Sequence, residues 1–226
     1  MQNLPDWSSA VKFIGKDSER RLATRNLASG SQVYGEKLVS LEGAEYRLWS
    51  PYRSKLSAAI INGMKRGTIG DGWRVLYLGA ATGTTASHVS DIVGVEGAVF
   101  CVEFAPRPMK ELLRITEDRP NMVPLMADAR RPETYAHLTT EVDFIYQDVA
   151  QPNQSEIFRS NAGAFLAPGG GGLLMVKSRS VDVSLDPGEV FASEVKNLSD
   201  WGFEVLETVN LAPFDKDHMA IAVKSR

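Results

Sequence analysis

Cysteine is almost missing from this chain: Cys101 is the one thiol in 226 residues. That excludes an internal disulfide and any zinc site built from several cysteines. Cys101 alternates within an apolar, strand-like run, so it is expected to be a buried and inert thiol. The chain also lacks any apolar run approaching the length of a membrane span, any Gly/Arg-rich tract and any internal repeat. Positive charge is scarce: 25 Lys and Arg stand against 28 Asp and Glu, for a net charge of −3 and a sequence pI near 5.7. A protein that grips nucleic acid unaided carries a basic excess. A nucleic-acid role here therefore needs a local basic patch, a partner that supplies the grip, or both. The stretch Met1 to Asp6 has no basic region followed by an apolar one, so no secretory signal is expected and the cytoplasm is the expected location.

What the chain does have is 43% hydrophobic residues, enough for one α/β domain with a small appendage. Residues 1–48 differ from the rest. They are polar, broken by Gly15, Gly30, Gly35 and Gly43, and carry short β-prone runs at Val11–Ile14 and Lys37–Leu41. This predicts a small antiparallel β subdomain, with the larger domain spanning 49–226. Ser50-Pro51 then looks like a capped helix start, with a core face of Leu56, Ala59, Ile60 and Met64.

From Arg74 onward, strands and helices alternate. Strands are expected at Arg74–Leu78, Ala98–Val102, Met122–Met126, Val142–Tyr146 and, after the run Gly169–Gly172, Leu173–Val176. Helices are expected from Thr84, over Pro108–Thr116, Pro132–Leu138 and Asn153–Leu166 (with Asn153 as cap), and from Asp186 to about Trp201. Such alternation implies a mostly parallel sheet with right-handed crossovers. Two closing strands, Phe203–Leu211 and Met219–Val223, are separated by too short a loop for a crossover, so they form an antiparallel hairpin.

The stretch Arg74 to Thr85 organises the rest. A buried strand runs into Gly79-Ala80-Ala81-Thr82-Gly83 and opens a helix, which points backbone N–H groups at the carboxyl edge of the sheet. The spacing matches neither the dinucleotide fingerprint nor the phosphate loop, and no lysine follows Gly83. The parallel strands end, in order, at Gly79, Glu103, Asp128 and Asp148. Glu103 lies where an acid accepts hydrogen bonds from ribose hydroxyls. Phe104 offers a ring to a purine, and Asp128-Ala129 offers an acceptor and backbone to an adenine. A nucleoside without phosphates fits this set, and S-adenosyl-L-methionine fits better than NAD. No metal site is expected.

Taken together, Tyr77 to Thr85, Ser87 to Asp91, Val102-Glu103-Phe104, Asp128-Ala129-Arg130, Asp148 to Pro152 and Phe191 to Lys196 resemble fibrillarin, the 2′-O-methyltransferase family of box C/D guide-RNA particles. The resemblance covers nearly the whole chain. Without a Gly/Arg-rich region it is closest to the archaeal type. Thr82, Phe100, Cys101 and Lys110 depart from the usual pattern only mildly. The resemblance implies a class I S-adenosylmethionine-dependent methyltransferase, Rossmann-like, behind a small N-terminal β subdomain. It implies a cofactor site in which Gly79, Ala80 and Gly83 shape the turn and Thr84, Thr85, Glu103, Phe104, Asp128, Ala129, Asp148, Val149, Ala150 and Gln151 make contacts. It implies catalytic roles for Lys55, Asp148, Lys177 and His218.

The residues alone support three of those four. Asp148 and Lys177 follow parallel strands. His218 opens an antiparallel one, which places it at the same sheet edge. A lysine directly after Leu173-Leu174-Met175-Val176 needs a partner, and Asp148 is the expected one. Lys55 rests on the resemblance. In the expected roles, Asp148 orients Lys177, Lys177 accepts or relays the 2′-hydroxyl proton, Lys55 neutralises charge and His218 positions the ribose. Arg53, Arg130, Arg131 and Arg179, with both lysines, are expected to rim the pocket and meet RNA phosphates. The implied partners are guide and target RNA, a Nop-domain scaffold protein and, indirectly, a kink-turn-binding protein, with no membrane. Rival readings are a stand-alone ribose methyltransferase of the heat-shock type, a metal-dependent small-molecule O-methyltransferase, and an inactive scaffold that keeps the fold.

Overall fold

The structure is a computed structural model and describes residues 7–16 and 20–226. The expected subdomain of residues 1–48 thus falls partly outside the described residues, and the leader reading of Met1 to Asp6 wholly outside them. Two sheets form. The small one is antiparallel, with strands β1 (Val11–Ile14), β2 (Arg21–Arg25), β3 (Leu38–Leu41) and β4 (Ala44–Leu48) in the order β1-β2-β4-β3. β2 and β4 gave little signal in sequence, because Leu22, Ala23 and Thr24 are all buried and do not alternate.

The large sheet has seven strands in the order β10-β11-β9-β8-β5-β6-β7. β5 (Arg74–Leu78), β6 (Ala98–Glu103), β7 (Met122–Met126), β8 (Val142–Gln147) and β9 (Leu166–Lys177) run parallel. β10 (Phe203–Asn210) and β11 (His218–Ser225) are antiparallel and close the sheet, as the short loop between them requires. From β5 the chain moves outward to β6 and β7, then returns to β8 on the other side of β5. This reversal opens a crevice at the strand carboxyl ends, where ligands bind in open α/β sheets.

Several expected elements shift. Helix α1 is Lys55–Ile61, not a helix from Ser50-Pro51. Ser54, not Ser50, is the cap: its hydroxyl accepts from the Ser57 amide, and residues 50–53 form a turn instead. The glycine run Gly169–Gly172 does not precede β9 but lies inside it. Its last two glycines pack under aromatic rings: a Cβ on Gly171 would sit 3.0 Å from Phe144, and one on Gly172 would overlap Phe158. The segment Pro132–Leu138 makes two 3-10 turns, Pro132–Thr134 and Ala136–Leu138, not one helix. The remaining helices are α2 (Thr84–Val93), α3 (Pro106–Glu117), α4 (Gln154–Phe165), α5 (Ser178–Val181) and α6 (Pro187–Asp200). Asn153 precedes α4 without a side-chain cap bond, whereas Asp186 caps α6 by accepting from the Gly188 amide. The four-residue α5 had no signal in sequence.

Helix α2 is the joint between the sheets. Its apolar side (Val89, Ile92, Val93) shares one core with Val75 and Tyr77 of β5 and with Val11, Leu22 and Trp49 of the small-sheet region. Its polar side is buried too. Asp91 receives Arg47 (3.0 Å) and Thr24 (2.7 Å) on one carboxylate oxygen, and Arg119 (2.6 Å) and the Leu27 amide (3.0 Å) on the other. Glu36 holds the far side of Arg47 at 2.6 Å. His88 is wholly buried and stacks on Trp49, with centroids 4.6 Å apart. The single Thr24 hydroxyl proton goes to Asp91, so Thr24 accepts from His88 Nδ1–H at 2.7 Å. Nε2 lies 2.9 Å from the Tyr34 hydroxyl, which is also 3.2 Å from the Leu48 carbonyl.

Burial first, and then the charges of Arg47 and Arg119, push the His88 pKa well below its usual 6.5. A base with a depressed folded pKa leaves stability intact above its unfolded pKa and removes it as pH falls below that value. Unfolding free energy is expected to drop below about pH 6.5 by up to about 1.4 kcal/mol per unit from this one group. Denaturant titrations of the wild type and of His88→Gln, from about pH 7 to about pH 5, read the difference in slope; equal slopes would refute the assignment.

Candidate active site

β5 ends at Leu78, and the turn begins at once with Gly79 at φ +82°. Glycine is required there because a Cβ would overlap the backbone oxygen of Asp148 on the neighbouring strand end. Gly83, at φ +86°, precedes α2, and a Cβ on it would sit 2.9 Å from both Leu112 and Ile115 of α3. Between them Ala81 adopts φ +49°, a left-handed conformation that strains a residue with a Cβ by about 1–3 kcal/mol. The Ala81 amide donates to Glu103 Oε2 at 2.9 Å. Glu103 Oε1 receives the Ala105 amide at 2.7 Å. The acid expected to meet a ribose thus also holds the strained turn in shape. A carboxylate has about four lone-pair sites, so two remain for a pair of hydroxyls.

A cavity of about 180 Å³ opens at this edge, lined by Gly79, Ala81, Glu103, Phe104, Asp128, Ala129, Arg130 and the run Asp148–Gln151. Phe104 is 62% exposed, as a ring waiting for a flat ligand should be. Asp128 does not stand free: Arg130 donates to it through Nε (3.0 Å) and Nη2 (2.6 Å), and these bonds hold its carboxyl below the ordinary range. Four expected contacts do not line the cavity. Ala80 and Gly83 shape the turn. Thr84 borders a second hollow with Thr82 and Arg53. Thr85 Oγ1 donates to Ser54 Oγ at 3.0 Å, joining the first turn of α2 to the cap of α1.

That cap places Lys55, the first residue of α1, at the cavity. Lys55 Nζ sits 2.8 Å from both carboxylate oxygens of Asp148. This corrects the expectation that Asp148 pairs with Lys177. Lys55 reaches the acid first, and among the described residues the Lys177 amine has no carboxylate partner. Lys177 is held by its backbone instead: its amide donates to Gln154 Oε1 (3.0 Å), and its carbonyl accepts from Gln154 Nε2 (3.1 Å). Lys177 and His218 are directly opposed in the β9–β11 ladder, so both reach the same edge. His218 Nδ1 donates to Asp215 Oδ1 at 2.6 Å, leaving Nε2 with its lone pair. Burial, then the Lys55 charge, lowers the His218 pKa, against an opposing pull from Asp215. The imidazole is neutral near pH 7 and able to take a proton.

Ser54, Gln154 and Asp215 escaped sequence reasoning. Ser54 lay behind the more obvious Ser50-Pro51, Gln154 looked like an ordinary helix residue, and Asp215 looked like hairpin loop. Of the four arginines expected at the rim, Arg130 holds Asp128, Arg131 holds Glu133 and Arg179 holds Asp217, all at exposed positions. Arg53 lies over the Tyr34 ring. Cys101 is buried, and burial pushes its thiol pKa up. Among the described residues no cluster of three or more His, Cys, Asp or Glu is arranged to hold a metal ion. Gly79→Ala is expected to weaken nucleoside-donor binding at least about ten-fold, because the Cβ displaces the Asp148 strand end, with overpacking of about 1–3 kcal/mol. Calorimetric titration with S-adenosylhomocysteine measures it, and unchanged affinity would contradict the close approach.

Comparison with known proteins agrees with this geometry. The family model described as Fibrillarin matches residues 8–226. A fibrillarin-like rRNA/tRNA 2′-O-methyltransferase of Methanopyrus kandleri is 52% identical over 211 residues, 93% of this chain and 91% of that protein. A crystal structure of Aeropyrum pernix fibrillarin with natively bound S-adenosyl-L-methionine superposes with a TM-score of 0.88 at 47% identity, covering 96% of this chain and 95% of that one. The fibrillarin chain of a fibrillarin/Nop5p complex superposes at 0.87 with 40% identity, covering 96% and 98%. The fold is the S-adenosylmethionine-dependent methyltransferase fold, with its small antiparallel sheet ahead of the seven-stranded one, and the chain belongs to the fibrillarin family.

Proposed function

We propose that this chain is the catalytic subunit of a box C/D guide-RNA particle and methylates ribose 2′-oxygens of rRNA and tRNA. The observation that carries the reading is the meeting of the Lys55–Asp148 ion pair with Lys177 and the His218–Asp215 pair beside the nucleoside cavity. The cavity suits S-adenosyl-L-methionine. It has two acids spaced for hydroxyls and an amino group, an exposed ring and a turn whose glycine leaves room, and it has no phosphate-binding lysine. Glu103 and Asp128 would hold the nucleoside and Phe104 would cover its base, in the cavity that Asp148 to Gln151 also line. When bound, the cofactor supplies an electrophilic methyl carbon.

The residues then have separate tasks. His218 Nε2 accepts the 2′-hydroxyl proton, because its ring is neutral and Asp215 fixes the tautomer. The proton acceptor is thus His218, in place of the lysine first expected. Lys55, clamped by both oxygens of Asp148, stabilises negative charge gathering on the attacking oxygen. Lys177, without a carboxylate of its own, meets the phosphate beside the target ribose. The scaffold partner is a Nop-domain protein, and the fibrillarin/Nop5p assembly supports that reading. A kink-turn-binding protein completes the particle, and base pairing with the guide chooses the nucleotide, since the chain bears a net charge of −3.

Loss of general-base or charge-stabilising groups removes about 10²–10⁴ of rate. In an assembled particle, His218→Gln and Asp148→Ala are each expected to lower single-turnover methyl transfer by about that factor, while donor affinity changes little for His218→Gln. The wild-type rate is expected to fall on the acid side with an apparent pKa below 6.5, following His218. Near-normal transfer by His218→Gln, with that acid limb intact, would remove it as the base.

A further inference from the structure

Outside the donor cavity, a groove of about 510 Å³ runs between the small sheet, the turn before α1 and the loop joining β10 to β11. Its walls combine two kinds of side chain. Tyr52 is 73% exposed and stands edge-on to Phe214, with centroids 5.2 Å apart. Arg21, Lys37 and Arg53 are exposed, and among the described residues none of them has a carboxylate partner. The carboxylates nearby are engaged elsewhere: Glu36 with Arg47 and the amides of Val33 and Tyr34, and Asp215 with His218. The back wall is rigid. Arg53 lies 5.6 Å from the centre of the Tyr34 ring, and the Tyr34 hydroxyl is fixed to buried His88.

Two stretches of the groove wall are continuous in sequence with the reacting groups. Tyr52 and Arg53 lead directly into Ser54 and Lys55, and Phe214 adjoins Asp215, the partner of His218. Cations without a carboxylate partner among the described residues, set beside the exposed Tyr52 ring, match a phosphate backbone carrying stackable bases. In an acidic chain such a patch is the local exception that RNA contact requires. We propose that this groove seats the RNA strand flanking the target nucleotide, with a base against Tyr52 and phosphates on Arg21, Lys37 and Arg53. The inference rests on the reading of this chain as a ribose methyltransferase and adds the path by which substrate reaches it.

The test uses the particle assembled from the full chain, its scaffold protein, guide RNA and target RNA. The variants are Tyr52→Ala and the double variant Arg21→Ala/Lys37→Ala. Each is expected to raise KM for target RNA by about ten-fold with kcat within about two-fold, since one stacked base or two phosphate contacts are removed. Donor affinity and co-elution with the scaffold are expected to match the wild type. The double variant is also expected to flatten the salt dependence of target capture by about one to two in log–log slope. Unchanged KM in both variants, with normal wild-type turnover, would overturn the groove and leave the function standing. Loss of scaffold binding at unchanged KM would assign the groove to a protein partner and overturn the proposal. A correctly assembled wild-type particle that transfers no methyl group would instead refute the functional reading itself.

Discussion

Asp148 is the residue on which the site depends, through three different atoms. Its amide donates to the Leu78 carbonyl at 2.9 Å, tying the end of β8 to the end of β5. Its carbonyl oxygen rests where a side chain on Gly79 would be, so the strand end and the glycine turn lie against each other. Its carboxylate receives the Lys55 ammonium on both oxygens. An ion pair with each side chain about a quarter exposed adds little to stability, commonly about 0–1 kcal/mol. Its value is geometric. A lysine on a separate helix, 93 positions away in sequence, is fixed at the end of the strand that borders the donor cavity. The Thr85–Ser54 bond reinforces the arrangement, because the turn that shapes the cavity also braces the cap of the lysine's helix.

The small sheet is more than an appendage in physical terms. Its buried Arg47 and the equally buried Arg119 converge on Asp91 of α2, with Glu36 balancing Arg47. Two guanidinium groups and two carboxylates in the interior are tolerable only because nearly every donor has a partner. Such a network adds little net stability over an apolar core, yet removing one member strands the others at about 3–5 kcal/mol. It therefore specifies how the small sheet sits on α2. Since Gly83 leads directly into α2, it also specifies how the turn meets the crevice. The groove lined by Tyr34, Tyr52 and Arg53 inherits its shape from the same network through the Tyr34–His88 bond.

Much of this was legible in the sequence, for identifiable reasons. The five parallel strands were apolar runs bounded by turn residues, and the final hairpin followed from the length of one loop. The acids at strand ends were visible because strand carboxyl ends converge in such a sheet. The rest failed where a local signal competed with a distant one. Ser50-Pro51 looked like a better helix start than Ser54, whose advantage depends on a hydroxyl contributed by Thr85. The glycines of β9 looked like a linker because the rings of Phe144 and Phe158 that require them lie on other elements. Lys177 appeared to need Asp148, and nothing local revealed that Lys55 would arrive there first. The matched residues of the family pattern pointed to Lys55, Asp148, Lys177 and His218, which the structure gathers at one sheet edge. They did not reveal which atoms are paired, and that pairing is what leads the proposed mechanism to give the proton to His218 and not to a lysine.

The division of charge explains how an acidic chain can act on RNA. Three of the arginines expected at the cavity rim are paired with their own carboxylates, so their fields are largely cancelled at the surface. They act over short range and are further weakened by salt. Arg21, Lys37 and Arg53, which have no carboxylate partner among the described residues, line instead the groove that holds the exposed Tyr52 ring. A chain arranged this way is expected to bind free RNA poorly, because its overall field does not attract a polyanion. It can still hold a strand that a partner has already delivered, because only a few local contacts are then needed. Under the proposed function, specificity for the nucleotide is left to base pairing, and the protein contributes alignment. The donor is set by the Gly79 turn, and the lysine and histidine by α1 and β11. On this account the strand is aligned by a groove that leads from the small sheet to those two side chains, so the small sheet and the glycine turn serve the same reacting atoms from opposite sides.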